Sequence, residues 1–242
     1  MMGIASIWDW QTISNERAYG SGLSRYLSKQ LLFLLLVAVL LLFSSRDPEW
    51  TMAWRYVASL LLIMAVNLLA MNRSLLTERS KLQEGTKKWD VGLSLFVAVI
   101  GPFLVVVVAS LGHRHHWGET VPALASNVFL LLFLLGSFFA TWAMHANQFF
   151  SATARIQADR EQKVVDNGPY QLVRHPGYLV GTLGILATAL ALQSYVALIP
   201  VFLVVIGYAV RTALEDRVLR NELESYQIYS LRVKYRLVMF VW

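Results

Sequence analysis

The sequence predicts an all-α, polytopic membrane protein of about six transmembrane helices, with a C-terminal helical hairpin. Three observations carry that prediction. The 242-residue chain is 57% hydrophobic and only 15% charged, against roughly 45–50% apolar and about 25% charged in soluble domains. Its apolar residues gather in six runs with none of the alternation of a half-buried strand. Its basic residues concentrate in alternate connectors between those runs.

The runs are Leu31 to Phe43, Tyr56 to Met71, Val91 to Leu111, Val121 to Met144, Tyr178 to Leu192 and Tyr195 to Val210. A spanning helix needs about 20 mostly apolar residues, which the third and fourth supply outright. The first reaches that length by extension through Tyr26, with Lys29 snorkelling to the headgroups. The fifth and sixth are short, stand apart only by Gln193 and Ser194, and read as a tight hairpin that spans obliquely or stops short. Beyond them, Arg217 to Lys234 has the spacing of an amphipathic, salt-bridged surface helix.

The net charge of +6 does not point to nucleic acid, because Lys and Arg lie between apolar runs, where membrane orientation accounts for them. Eighteen of them fall in the N-terminal segment (Arg17, Arg25, Lys29), the second and fourth connectors and the tail; only Arg46, Arg55 and Arg114 fall on the other side. Both termini and the long connector 146–177 are therefore expected in the cytoplasm. The membrane would be the inner membrane of a bacterium, or the endoplasmic reticulum of a eukaryote. A cleaved signal peptide is not expected, since the first run starts late and no small-x-small site follows it. With no Cys there is no disulfide framework, thiolate metal site or cysteine nucleophile. Residues 1–120 carry three spans with no constellation tied to chemistry, and residues 121–242 carry the polar loop, the hairpin and the charged tail.

Four clusters invite a reading. His113, His115 and His116 are either a metal cluster or a wetted loop, and a structural zinc site would want more ligands than the neighbouring Glu119. Gly177, Gly181 and Gly184 serve close helix packing or let a cofactor approach the backbone. The stretch Gly168-Pro169-Tyr170-Gln171-Leu172-Val173-Arg174-His175-Pro176-Gly177-Tyr178 is an interfacial anchor or a binding loop, with Pro176 suited to the first turn of the helix that follows. Arg211 and Glu215 share one face of a helix leaving the membrane, and an Arg adjoining Val210 pairs or lines a wet cavity rather than facing lipid.

In order, Ser151-x-x-x-x-Ile156-Gln157, Gly168-Pro169-Tyr170-x-x-x-Arg174-His175-Pro176-x-Tyr178, Arg211-x-x-x-Glu215-Asp216-Arg217 and Tyr226-x-x-Tyr229 resemble the isoprenylcysteine carboxyl methyltransferase family over roughly residues 128 to 242. The resemblance implies a cytosolic pocket for the cofactor S-adenosyl-L-methionine between the loop before the hairpin and the helix after it, with a lipophilic methyl acceptor entering from the bilayer. It assigns cofactor contacts to Gln157, Gln162, Val164, Val165, Tyr170, His175, Pro176, Gly177, Tyr178 and Glu215, and the orienting of an acceptor carboxylate to Arg211. The activation resides in the sulfonium cofactor, so the chemistry needs positioning and no metal. Two other enzyme classes fit parts of the pattern: phospholipid N-methyltransferases, and NADPH-dependent membrane sterol-type reductases, which also end in an Arg-His-Pro-x-Tyr loop. A membrane scaffold without catalysis is the remaining alternative. The oligomeric state is open.

Overall fold

A computed structural model describes the backbone from Ala5 and the side chains from Gly20, in both cases through Trp242; of the basic residues counted above, Arg17 lies outside the described side chains. The described residues form nine α-helices: α1 (Ala5–Ser45), α2 (Thr51–Ala70), α3 (Arg73–Ser80), α4 (Lys88–Leu95), α5 (Gly101–His115), α6 (Ala123–Ala146), α7 (Pro176–Ala191), α8 (Leu198–Glu222) and α9 (Tyr226–Arg232). A π-helical turn, Phe96–Ile100, joins α4 to α5, so the two make one continuous rod from Lys88 to His115. Pro102 follows that wide turn, where a missing N–H and a ring clash would otherwise disrupt a regular helix.

Five of these rods are long and apolar enough to cross a membrane: Gly20–Ser45, Thr51–Ala70, Lys88–His115, Ala123–Ala146 and Leu198–Glu222. The chain is a polytopic helical membrane protein. The sixth long element, α7, has 16 residues, about 24 Å of helix against a hydrocarbon core of about 30 Å. The last rod outruns its apolar run, continuing through Arg211, Asp216 and Arg220 to Glu222. Arg211 and Asp216 are held by partners brought from elsewhere in the chain, and Arg220 by Asp216 on the same helix. The amphipathic helix expected from Arg217 to Lys234 is broken, because Leu223 is extended and α9 turns back to bury Tyr226 and Tyr229.

Contacts between connectors show that the rods alternate in direction. At one end, His113 pairs with Asp47 at 2.8 Å, Trp50 bonds Gln193 at 3.4 Å, and Thr120 bridges Ser194. At the other, Glu78 meets Arg155, Lys87 meets Glu222, and Arg174 meets the C-terminal tail. The basic-rich connectors thus share one end. His113 also stacks on Trp50, and His115 on Trp117, so these rings serve the loop contacts at the opposite end.

The core runs between the rods through Val37, Leu41, Val105, Val106, Val201 and Val204. Close approach is set by small residues: a Cβ on Gly101 would lie 2.3 Å from Val204 Cγ2, and one on Gly207 would lie 2.8 Å from Val97 Cγ1. On α7, a Cβ on Gly181 would meet Tyr208 Oη at 2.5 Å, while Gly184 has room for one. The short α3 begins at Asn72, whose side chain accepts from Leu75 N at 2.8 Å, and packs Leu75 and Leu76 against Tyr26 and Met144.

Candidate functional site

The connector between α6 and α7 folds back on itself at the end of the rods, and its first half is fixed by two buried acids, Glu78 of α3 and Asp90 of α4. Glu78 takes Nε and Nη2 of Arg155, both at 3.0 Å, in a bidentate grip. Asp90 accepts from Ala154 N at 2.6 Å, and Lys87 N reaches Ala154 O at 2.9 Å. Gln157, 1% exposed, closes the fold: its Nε2 donates to Phe149 O, its Oε1 accepts from Arg160, and its backbone N–H donates to the Gln162 side chain.

The second half turns at Gly168, whose φ of +54° suits a residue without a Cβ, and a 3₁₀ turn then buries Tyr170. The Tyr170 hydroxyl accepts from Asn147 at 3.1 Å, and its carbonyl accepts from Tyr229 Oη at 2.7 Å. Arg174 points inward. Its Nη1 donates to the carbonyls of Ser230 and Val233, and the backbone N–H groups of Arg174 and His175 donate to Tyr235 and Arg236, sewing the tail onto the loop. Pro176 opens α7, and the His175 ring stacks on Tyr178 with centroids 5.5 Å apart.

The C-terminal part of α8 brings three charged residues to this assembly. Arg211 is held by Asp90, Nε to Oδ1 at 2.6 Å and Nη2 to Oδ2 at 2.9 Å, and its Nη2 also donates to Ala152 O. Its guanidinium lies 4.8 Å from the Tyr178 ring centroid. Glu215 accepts from the Tyr178 hydroxyl. Asp216, 1% exposed, is a hub: Arg174, Arg220 and Arg236 lie within ion-pair distance, and Tyr226 Oη donates to it at 2.9 Å.

These elements enclose a pocket of about 100 Å³ at the end of the rods. Gln162, Val164, Val165, Tyr170, His175, Pro176, Gly177, Tyr178 and Glu215 line it, so nearly all residues singled out from the sequence converge there. Gln157 stands behind the wall as a brace of the loop. Arg211 faces a second, larger cavity of about 380 Å³ between the rods, mostly lined by apolar side chains such as Phe33, Leu60, Val97 and Phe133. Phe150, Ser151, Gly177 and Tyr178 line both spaces and form a common wall. The N-terminal spans therefore contribute walls to this second cavity.

Burial pushes the phenols of Tyr170, Tyr226 and Tyr229 above their ordinary pKa, Asp216 adding to the rise at Tyr226; at neutral pH these groups stay protonated and serve as hydrogen-bond donors or acceptors. The arginines in the pocket wall are already engaged, Arg155 with Glu78 and Asp159, and Arg174 with Asp216. The pocket thus presents apolar surface, aromatic rings and a carboxylate, with Lys163 exposed at its rim. That set fits a zwitterionic, sulfonium-bearing nucleoside. It does not offer the cluster of open cations that a dinucleotide phosphate requires.

Sequence reasoning missed Asp90 and Glu78 and gave no separate task to Asp216; its alternative reading of Tyr170, Arg174 and Tyr178 as headgroup-level anchors fails for Arg174, which is buried against Asp216. A faint signal existed for Asp90, an acid one residue before the third apolar run that needs a partner once buried.

Residues 126–225 match the family model described as phospholipid methyltransferase. No curated protein matches the chain. The matched segment spans α6, the loop, α7 and α8, and so contains most of the pocket just described.

Proposed function

We propose that this chain is an integral membrane methyltransferase that takes its methyl group from S-adenosylmethionine and gives it to a lipophilic acceptor drawn from the bilayer. The observation that carries the reading is the pair of spaces with one wall: a polar pocket at the rod ends and an apolar cavity among the rods, meeting at Phe150, Ser151, Gly177 and Tyr178. A water-soluble cofactor and a lipid chain would each find their own medium there, with the reacting groups close to the wall.

When bound, the cofactor supplies an electrophilic methyl group; the protein's part is positioning. Glu215, oriented by Tyr178, would pair with the cofactor's amino group or lie beside its positive charge. Tyr170 and the Val164–Val165 stretch would cover its nucleoside, and His175, stacked on Tyr178, would fix the floor. With a carboxylate acceptor, an ester O–CH₃ bond forms as the S–CH₃ bond breaks and S-adenosylhomocysteine leaves. The resemblance favours such an acceptor, an isoprenylcysteine-like or other isoprenoid or lipid acid, with Arg211 presenting it. A second reading, N-methylation of a phospholipid headgroup, is favoured by the description of the matched family and by the engagement of Nε and Nη2 of Arg211 with Asp90.

Purified protein should bind S-adenosylmethionine and not NADPH when both are titrated in detergent, and His175→Ala should weaken the former. Tight binding of NADPH alone would replace this reading by the reductase one. Arg211→Lys separates the acceptors: activity on a carboxylate should fall with loss of the planar fork, whereas activity on an amine headgroup should persist.

A further inference from the structure

Most buried cations near the loop have a matched acid. Arg155 has Glu78, Arg174 has Asp216 and Arg211 has Asp90. Arg79, on α3, has none: its Nε and Nη1 are buried without a hydrogen-bond partner, and among the described residues no carboxylate stands within ion-pair distance. Arg79 is part-buried as a residue, but two of its guanidinium nitrogens are removed from water with their donors unused, which is costly unless a partner arrives. Burial holds its pKa below the ordinary value, and the nearby Arg211 adds to that effect.

Its position shows what the partner would be. Arg79 lines the 380 Å³ cavity, and its guanidinium lies 5.2 Å from the ring centroid of Phe150, a residue of the common wall. Several other polar groups of that cavity have partners within the protein: Tyr56 with Thr188, the Asn67 side-chain carbonyl oxygen with Thr141, Ser151 with Glu78, and Arg211 with Asp90; the Tyr208 hydroxyl is uncharged and demands no counter-ion. The remaining lining is largely apolar. A molecule that fills this space and satisfies Arg79 has a hydrocarbon body and an oxyanion at the end nearest the pocket.

We infer that Arg79 anchors an oxyanion of the lipophilic acceptor, a carboxylate or a phosphodiester, while the acceptor's hydrocarbon lies in the cavity between the rods. The inference rests on the reading of that cavity as the acceptor site. It gives the N-terminal half a task, since α3 lies outside the segment that matches the family model. A guanidinium fork suits either oxyanion because it donates two parallel hydrogen bonds.

Lipid retention by the purified protein in detergent, measured by native mass spectrometry without cofactor, tests this. The probes are palmitic acid, phosphatidylethanolamine and two uncharged controls, hexadecanol and diacylglycerol. Wild type should retain at least one anion-bearing probe well above its uncharged counterpart. Arg79→Gln should weaken that retention about ten- to a hundredfold, the loss of charged hydrogen bonds, and leave the uncharged controls unchanged. Arg79→Lys, which keeps the charge, should fall between. Loss confined to palmitic acid assigns the site to a carboxylate, and loss confined to phosphatidylethanolamine assigns it to a phosphodiester. Equal retention of charged and uncharged probes by wild type overturns the inference even if Arg79→Gln does not fold, and so does an Arg79→Gln protein that retains them as wild type does. S-adenosylmethionine binding, measured on the same wild-type samples, reports separately on the methyltransferase reading.

Discussion

Replacing Asp90 by asparagine keeps the shape of the side chain and removes its charge. The carboxylate is fully buried and holds two nitrogens of Arg211 at 2.6 and 2.9 Å, so the variant leaves that guanidinium, itself 5% exposed, without a counter-charge. Removing one partner of a buried pair costs about 3–5 kcal/mol. For a chain of this size each kcal/mol lowers the melting temperature by about 2–4 °C, so Asp90→Asn should lose roughly 6–20 °C. Arg211→Met should lose a comparable amount by stranding the acid. The double variant Asp90→Leu with Arg211→Met strands neither and should lose much less than the two single losses combined. Recovery of monodisperse protein after heating in detergent, read by size-exclusion chromatography, measures all three. An Asp90→Asn protein that melts within about 2 °C of wild type, or a double variant whose loss equals the sum of the singles, would refute the idea that this pair secures α8 to the α4 rod.

Asp216→Asn should release the tail, because Arg174, Arg220 and Arg236 all converge on that carboxylate; limited proteolysis should then cut after Ser230 faster than in wild type, and equal cutting rates would count against the hub. Gly181→Ala should destabilise the α7–α8 contact by about 1–3 kcal/mol, since the new methyl meets the Tyr208 ring end, and Tyr208→Leu in the same protein should restore most of it. The absence of Cys permits a topology test at exposed positions: in intact cells, Glu49→Cys and Glu119→Cys should react with an impermeant thiol reagent while Glu84→Cys and Glu224→Cys stay protected. Reaction of the second pair and protection of the first would invert the orientation.

The spanning rods were legible because length and hydropathy alone decide whether a segment suits a bilayer. The loop from Gly168 to Tyr178 was legible because turn residues and ring-bearing side chains are dense there. The helix past Val210 was legible from the four-residue spacing of Arg211 and Glu215, but what holds its charges was not, since Asp90, Arg174 and Arg236 are distant in sequence. For the same reason Arg79 looked like any other cation of a basic connector; whether a guanidinium is paired depends on tertiary contacts that spacing does not encode. The break at Leu223 was hidden because Arg217 to Lys234 has plausible helical spacing on both sides of it, and only the burial of Tyr226 and Tyr229 against Asp216 and Tyr170 favours the turn.

The tail sewn onto the loop also sets an order of biosynthesis. Arg174 and His175 emerge from the ribosome well before Tyr235 and Arg236, the residues whose carbonyls their backbone N–H groups require. Until then Arg174 has neither Ser230 nor Val233 to hold, and the Tyr170 carbonyl waits for Tyr229. A nascent chain halted after α8 would have its rods in the lipid but the pocket wall unfinished, so competence arrives late in translation rather than with membrane insertion.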